Sequence, residues 1–193
     1  MKKTLKHAAA AVAMLALPLV SACSQAEEGE QQTSETRDEG TLTLGSALGA
    51  QDDMDTLRSA LTTSELSGLL DGPASYTLLA PNDPAFEKLG EAGSELLAEE
   101  QKPLLLALLR DHLLPGHLTP ETIASAIDAN GGPVTMTTLG EGEVTFAKQG
   151  DTLTVSLGDG DQATVVGTAI AANNGVVIPL DTVLRPAGGD QAQ

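Results

Sequence analysis

Aromatic residues are nearly absent: no Trp, one Tyr and two Phe occur among 193 residues. The core must therefore be built from Leu, Val, Ile and Ala, and aromatic platforms for stacking bases or sugar rings are not expected. Basic residues are also scarce, 10 against 27 acidic, giving a formal charge of -17. A field of that sign repels phosphate backbones and anionic lipid surfaces, so no nucleic acid partner is expected. Cysteine occurs once, as Cys23, which rules out an internal disulfide framework and any multi-thiolate zinc or iron–sulfur site. The longest apolar run, Ala8 to Val20, falls short of the roughly 20 residues that span a bilayer. The length suits one domain with room for a small appendage.

Lys2, Lys3 and Lys6 precede that apolar run, which contains Pro18. Basic residues followed by a short apolar core form a secretory signal. Val20-Ser21-Ala22-Cys23 resembles a bacterial lipobox, whose Cys takes a diacylglyceryl group and becomes the mature N-terminus. Residues 1–22 are thus expected to be a signal peptide and Cys23 a lipidation site. An ordinary secretory cleavage near Ala22 would instead leave a free thiol. Acyl chains such as palmitate would hold the protein at a membrane, each buried methylene contributing about 0.8 kcal/mol. Ser24 stands where Asp would resemble an inner-membrane retention signal, which favours an outer-membrane or cell-surface destination in a Gram-negative envelope. Residues 23–40 carry many acids and almost nothing apolar, and are expected to be a disordered tether. Loss of the three signal lysines leaves 7 basic residues against 27 acidic ones, and repulsion should extend the tether away from anionic head groups.

Residues 41–187 form the expected globular part, with 188–193 a disordered tail. Leu57, Leu61, Leu66, Leu69 and Leu70 have helical spacing. Ser75 to Leu79 alternates like a strand, and Asn82-Asp83-Pro84 supplies the cap and start of a short helix carrying Phe86. Another helical turn is expected over 94–100. Pro103 suits the first turn of a buried helix running on to Leu114, and Thr119-Pro120 starts another that Gly131 closes. Beyond it, strands are expected at 134–139, 143–148, 152–157, 163–171 and 176–184, separated by Gly-containing turns. No internal repeat is evident.

Three segments carry a resemblance. Tyr76-Thr77-Leu78-Leu79-Ala80-Pro81-Asn82-Asp83-Pro84-Ala85-Phe86, Leu109 to Gly116 with His112, and Asn174-Gly175-Val176 through Asp181 to Leu184 are similar to motifs of the fasciclin-type domain. The resemblance covers about Leu42 to Pro186 and implies an α+β fold, a β-sandwich wedge with several helices packed around it. Its motif positions here are Asn82, Asp83, Phe86, Asp111, His112, Gly175 and Asp181, each expected to serve structure before function. The family's Tyr-His pair is Asp111-His112 here, so the integrin adhesion linked to that pair in animal members is not carried over. The family's His in the closing strand is Ile178, followed by Pro179. Pro179 removes one ladder hydrogen bond, so this strand is expected at a sheet edge or bulged there.

Chemistry is thinly represented. His112 and His117 are the histidines left after the signal. They lie five apart across Pro115-Gly116, so they do not share one helical face for zinc, even with Asp111 or Glu121 as a third ligand. His112 is expected to serve the end of its helix, and His117 to be an exposed turn residue. Neither a nucleophile elbow, a phosphate-binding loop nor an EF-hand pattern occurs, and Gly158-Asp159-Gly160-Asp161 reads as a hairpin turn. No cofactor, metal or enzymatic activity is expected. The function implied is a membrane-anchored, extracytoplasmic binding or adhesion lipoprotein. It would display its domain to a protein or polysaccharide of the envelope or extracellular matrix. The alternatives are a small-molecule or lipid carrier, with ligand between sheet and Leu-rich helix, and, more remotely, an enzyme using Asp111 and His112. An apolar pocket of about 300 Å³ or more beneath Leu104 to Leu114 would favour the carrier.

Overall fold

The computed structural model describes residues 35–187. The signal at 1–22, Cys23, the first part of the tether and the tail 188–193 lie outside the described residues. The elements in chain order are β1 (Thr36–Glu39), α1 (Leu44–Gly49), α2 (Asp55–Thr63), α3 (Ser67–Leu70), β2 (Tyr76–Pro81), α4 (Asp83–Glu87) and α5 (Glu91–Leu96). A 3-10 turn (Glu99–Gln101), α6 (Lys102–Asp111), β3 (Leu113–Pro115) and α7 (Pro120–Asn130) follow. The chain ends with β4 (Val134–Thr137), β5 (Glu143–Gln149), β6 (Thr152–Leu157), β7 (Gln162–Thr164), β8 (Ala169–Ala172) and β9 (Gly175–Leu180). This is the two-sheet α+β architecture expected, with helices concentrated in the first half.

The layering follows from strands that are apolar on both faces. Sheet one has the order β1-β8-β9-β2-β3, sheet two β4-β5-β6-β7. Successive side chains of a strand point to opposite faces. Leu78 and Ala80 of β2, with Val177 of β9, therefore pack on the helices, among Leu57, Leu61, Leu105 and Leu109. Leu79, Val176 and Ile178 face the other way, into the space between the sheets with Phe146 and Val155. A continuous buried run marks a strand covered on both sides, so sheet one is the middle layer. Sheet two covers one of its faces and α1 to α6 the other, while Ile123 and Ile127 of α7 join the inter-sheet core.

The parallel pair β2 and β9 runs in register from Tyr76 opposite Gly175 to Pro81 opposite Leu180. Gly175 is required at the entry: a Cβ there would collide with the carbonyl oxygen of Tyr76. β9 is interior, between β8 and β2, so of the two alternatives expected from Pro179, an edge position or a local bulge, the edge does not hold. The proline is tolerated because β8 pairs with β9 only from Gly175 to Val177. Past that point the Pro179 carbonyl still accepts the Val166 N–H at 3.0 Å.

Four other expectations change. Thr36–Glu39, placed in the disordered tether, is a strand parallel to β8. Its order rests on backbone pairing and on the Thr36 hydroxyl, which donates to Glu121 Oε2 at 2.8 Å, rather than on apolar burial. The helix expected to reach Leu114 stops at Asp111. Leu113 joins the helix-side core and Leu114 the inter-sheet core, and only strand alternation can divide neighbours in this way. The strand expected over 163–171 divides into β7 and β8, which belong to different sheets. Gly167, at φ +63°, turns the chain between them. The closing strand ends at Leu180 rather than Leu184. Helix α1 was not anticipated, although Thr43 Oγ1 accepts from Ser46 N at 3.2 Å as its N-cap. Replacing Gly175 with Ala should destabilise the protein by about 1–3 kcal/mol, the cost of overpacking a filled site, read as a lower urea midpoint.

Candidate functional site

The end of α6 and the segment after β9 are joined by one imidazole. His112 is the C-cap of α6 and is fully buried. Its Nδ1 lies 2.8 Å from the Leu108 carbonyl, and its Nε2 accepts the Leu184 N–H at 3.0 Å. A carbonyl only accepts and an amide N–H only donates, so the ring is the neutral Nδ1–H tautomer. Burial pushes the His112 pKa below its usual range, against the opposing pull of the Leu108 carbonyl and the Asp111 charge. Both nitrogens are committed to backbone groups, leaving no lone pair for a metal and no exposed base for catalysis. His117 is exposed, as expected, with Nε2 at 3.3 Å from the Ala172 carbonyl.

Asp111 serves the adjacent turn. Its Oδ1 accepts from Thr138 Oγ1 at 2.8 Å, and the Thr138 hydroxyl accepts the Gly140 N–H at 3.2 Å. A Cβ at Gly140 or Gly142 would run into the Asp111 carboxylate. The residue that replaces the motif's Tyr is thus roofed by a close glycine turn. Arg185 completes the region, its Nε donating to Asp161 Oδ2 at 2.8 Å. Asp161, read from sequence only as part of a hairpin turn, therefore holds the terminal segment in place. Nothing local in the sequence links it to Arg185.

The other motif residues sit at the ends of the β2–β9 pair. Asn82 Oδ1 accepts the Ala85 N–H at 3.0 Å as the N-cap of α4, and Phe86 is buried in the helix-side core. Asp83 caps a different helix. Its Oδ1 accepts the Thr56 N–H at 2.8 Å, supplying α2 with the side-chain cap that its own N-cap residue Met54 lacks. Asp181 accepts the Thr164 N–H at 2.7 Å, and Lys88 Nζ donates to the Asp181 carbonyl at 2.7 Å. At the opposite end, beside Gly175, Asn174 Nδ2 donates to the carbonyls of Leu70 (2.9 Å) and Gly72 (2.8 Å). Its Oδ1 accepts the Leu44 N–H at 2.7 Å. From sequence Asn174 stands as the start of the third motif, with nothing to indicate this buried clip.

A groove of about 260 Å³ opens beside the His112 region, lined by Leu89, Ala92, Leu96, Leu104 and Leu108 with Asp111 and Arg185 at one end. It is formed by α5, α6 and the terminal segment. Leu104, 52% exposed, is the large apolar side chain left on the surface of the described residues.

Two sheets flanked on one face by helices, with an Asn-Asp helix start and a buried His binding the closing segment, define a helix-decorated α+β domain. The chain belongs to the fasciclin domain family, whose model matches residues 52–186. It is 31% identical over 153 residues to the pig transforming growth factor-beta-induced protein ig-h3, covering 76% of this chain and 20% of that protein. Protein sll1483 of Synechocystis is 27% identical over 178 residues, 89% of each chain. Human periostin is 31% identical over 150 residues, 75% of this chain and 16% of its own. The chain thus spans about a fifth or less of the length of the animal relatives. The solved FAS1 domain pair of the insect cell adhesion molecule fasciclin I matches with a TM-score of 0.67 at 15% identity, over 76% of this chain and 52% of that one. That likeness confirms the fold.

His112 makes stability pH-dependent. The unfolded imidazole titrates near 6.5 and the folded one lower, so the unfolded state binds the extra proton between those values. Stability should be complete above about pH 6.5 and fall by up to about 1.4 kcal/mol per unit below it. Urea midpoints measured from pH 7.5 to 5 should show this slope, and His112→Gln should flatten it. Glu65 and Glu121, whose carboxyls are lowered from 4.5, act in a separate, more acid window. Asn174→Ala should cost about 1–3 kcal/mol, the range for stranding buried polar partners, measured by thermal melting.

Proposed function

We propose that this protein is a membrane-anchored lipoprotein that displays one fasciclin domain outside the cytoplasm as a binding or adhesion module. Its partners would be macromolecules of the envelope, matrix or cell surface. The observation that carries the reading is Cys23, the single cysteine of the chain, placed immediately after the apolar run in Val20-Ser21-Ala22-Cys23. Family membership supports the binding role, since the matched insect protein is a cell adhesion molecule. Among the described residues no helix is long and apolar enough to cross a membrane, so attachment would fall to acyl chains on Cys23. The charged stretch that follows gives reach, and tethering raises the local concentration of a domain that need bind only weakly.

The groove beside α6 supports display over carriage: it is a surface groove of about 260 Å³ lined by α5, α6 and the segment after β9, with Leu104 exposed in it, rather than a cavity between the sheet and the Leu-rich helix. Nor does His112 suit an enzyme, being buried with both nitrogens engaged. Replacing Cys23 with Ser should move the protein from the membrane fraction to the soluble extracytoplasmic fraction, followed by immunoblotting. Unchanged fractionation would remove the anchor, and mass spectrometry of the mature N-terminus would show whether acylation occurred.

A further inference from the structure

The groove between α5 and α6 combines an apolar floor with an unusual charge setting. Leu89, Ala92, Leu96, Leu104, Ala107 and Leu108 line it. Leu105 and Leu109 of α6 already satisfy the helix-side core, so Leu104 is a leucine beyond what folding needs. Exposure of a large aliphatic side chain inside a concave surface marks a contact surface more than an isolated exposed leucine would.

The rim is negative. Glu95 and Asp111 are part of the lining, and Glu91 stands one turn before Glu95 on α5. Glu91 and Glu95 are exposed. None of these three acids belongs to an ion pair among the described residues, although Asp111 Oδ1 accepts from Thr138. The positive charge in the lining, Arg185, is held by Asp161 at 2.8 Å, and Lys102 is drawn to Glu65 at 2.6 Å. An apolar floor under uncompensated carboxylates complements one kind of surface, an apolar stripe flanked by cations. A second copy is a poor occupant, because each chain carries a formal charge of -17. The tail Gly188-Gly189-Asp190-Gln191-Ala192-Gln193 offers no large apolar side chain, and the stretch 23–34 is acidic.

We infer that this groove is the docking site for a cationic amphipathic segment of a partner protein. Its apolar stripe would lie on Leu89, Leu96, Leu104 and Leu108, with Lys or Arg side chains over Glu91, Glu95 and Asp111. The fit is the helix-in-groove mode, with anchors at i, i+4 and i+7. The inference rests on the reading of the domain as a binding module and names the chemistry of its partner.

The test uses the purified full chain carrying Cys23→Ser, so that detergent does not compete for the groove. Two fluorescent helical peptides share one Leu stripe and differ in flanking residues, all Lys in one and all Glu in the other. Fluorescence anisotropy should show the Lys peptide binding at least about tenfold more tightly at about 50 mM salt, the advantage shrinking at about 500 mM. Leu104→Ser should weaken that binding by about tenfold with an unchanged melting temperature, and Glu95→Lys should reduce the preference for Lys flanks. Equal affinity for the two peptides, or indifference to Leu104→Ser, would overturn the inference. So would self-association or partition into zwitterionic vesicles that Leu104→Ser abolishes, since either assigns the groove to another occupant. Capture of envelope proteins by the immobilised chain separates the two levels. Capture that Leu104→Ser does not diminish rejects the groove and keeps the module. Peptide binding without any capture keeps the groove and rejects the display role.

Discussion

The structure depends on the parallel pairing of β2 with β9, two strands buried on both faces at the centre of three layers. Each strand contributes alternate residues to two different cores, Leu78 and Val177 to the helix side, Leu79 and Ile178 to the inter-sheet side. A single register therefore fixes both cores, because a slip of one residue would exchange every side chain between them. The ends of the same pair also position the helices. From one end leave Asn82 and Asp83, which cap α4 and α2. At the other, Asn174 secures the start of α1 and the turn after α3.

His112 extends this constraint to the last ordered segment. By accepting the Leu184 N–H, it draws the chain after β9 alongside α6, where Arg185 and Pro186 become one wall of the groove. Surface shape at the groove is thus set by a buried imidazole and by the Arg185–Asp161 pair. At the centre of the arrangement both His112 ring nitrogens are bonded to backbone groups. What it offers outward is an apolar floor with the Glu95 and Asp111 carboxylates beside it.

Much of this was legible in the sequence where local rules coincide. Thr119-Pro120 and Asn82-Asp83-Pro84 announce helix starts, and the structure places N-caps at Thr119 and Asn82. The motif resemblance supplied the two-sheet fold. Expectations failed where a tertiary partner decides. Leu113 and Leu114 continue a helical leucine run, yet pairing with β2 turns them into a strand. Thr36–Glu39 has no apolar pattern at all, since a strand held by backbone bonds to β8 needs none. Pro179 suggested an edge or a bulge because its own residue lacks a donor, while the shortness of β8 beside it is encoded elsewhere. The clip of Asn174 and the Arg185–Asp161 pair span 104 and 24 residues, and such long-range partners leave no local signature.

Native-state hydrogen exchange tests the central claim most directly. If β2 and β9 hold the layers together, the amides of Leu78, Leu79, Val177 and Ile178 should exchange only through global unfolding. Their opening free energies should then equal the stability measured by denaturation. Faster exchange there than in the β4–β5 hairpin or α7 would show that the layers are secured elsewhere, and would contradict the account.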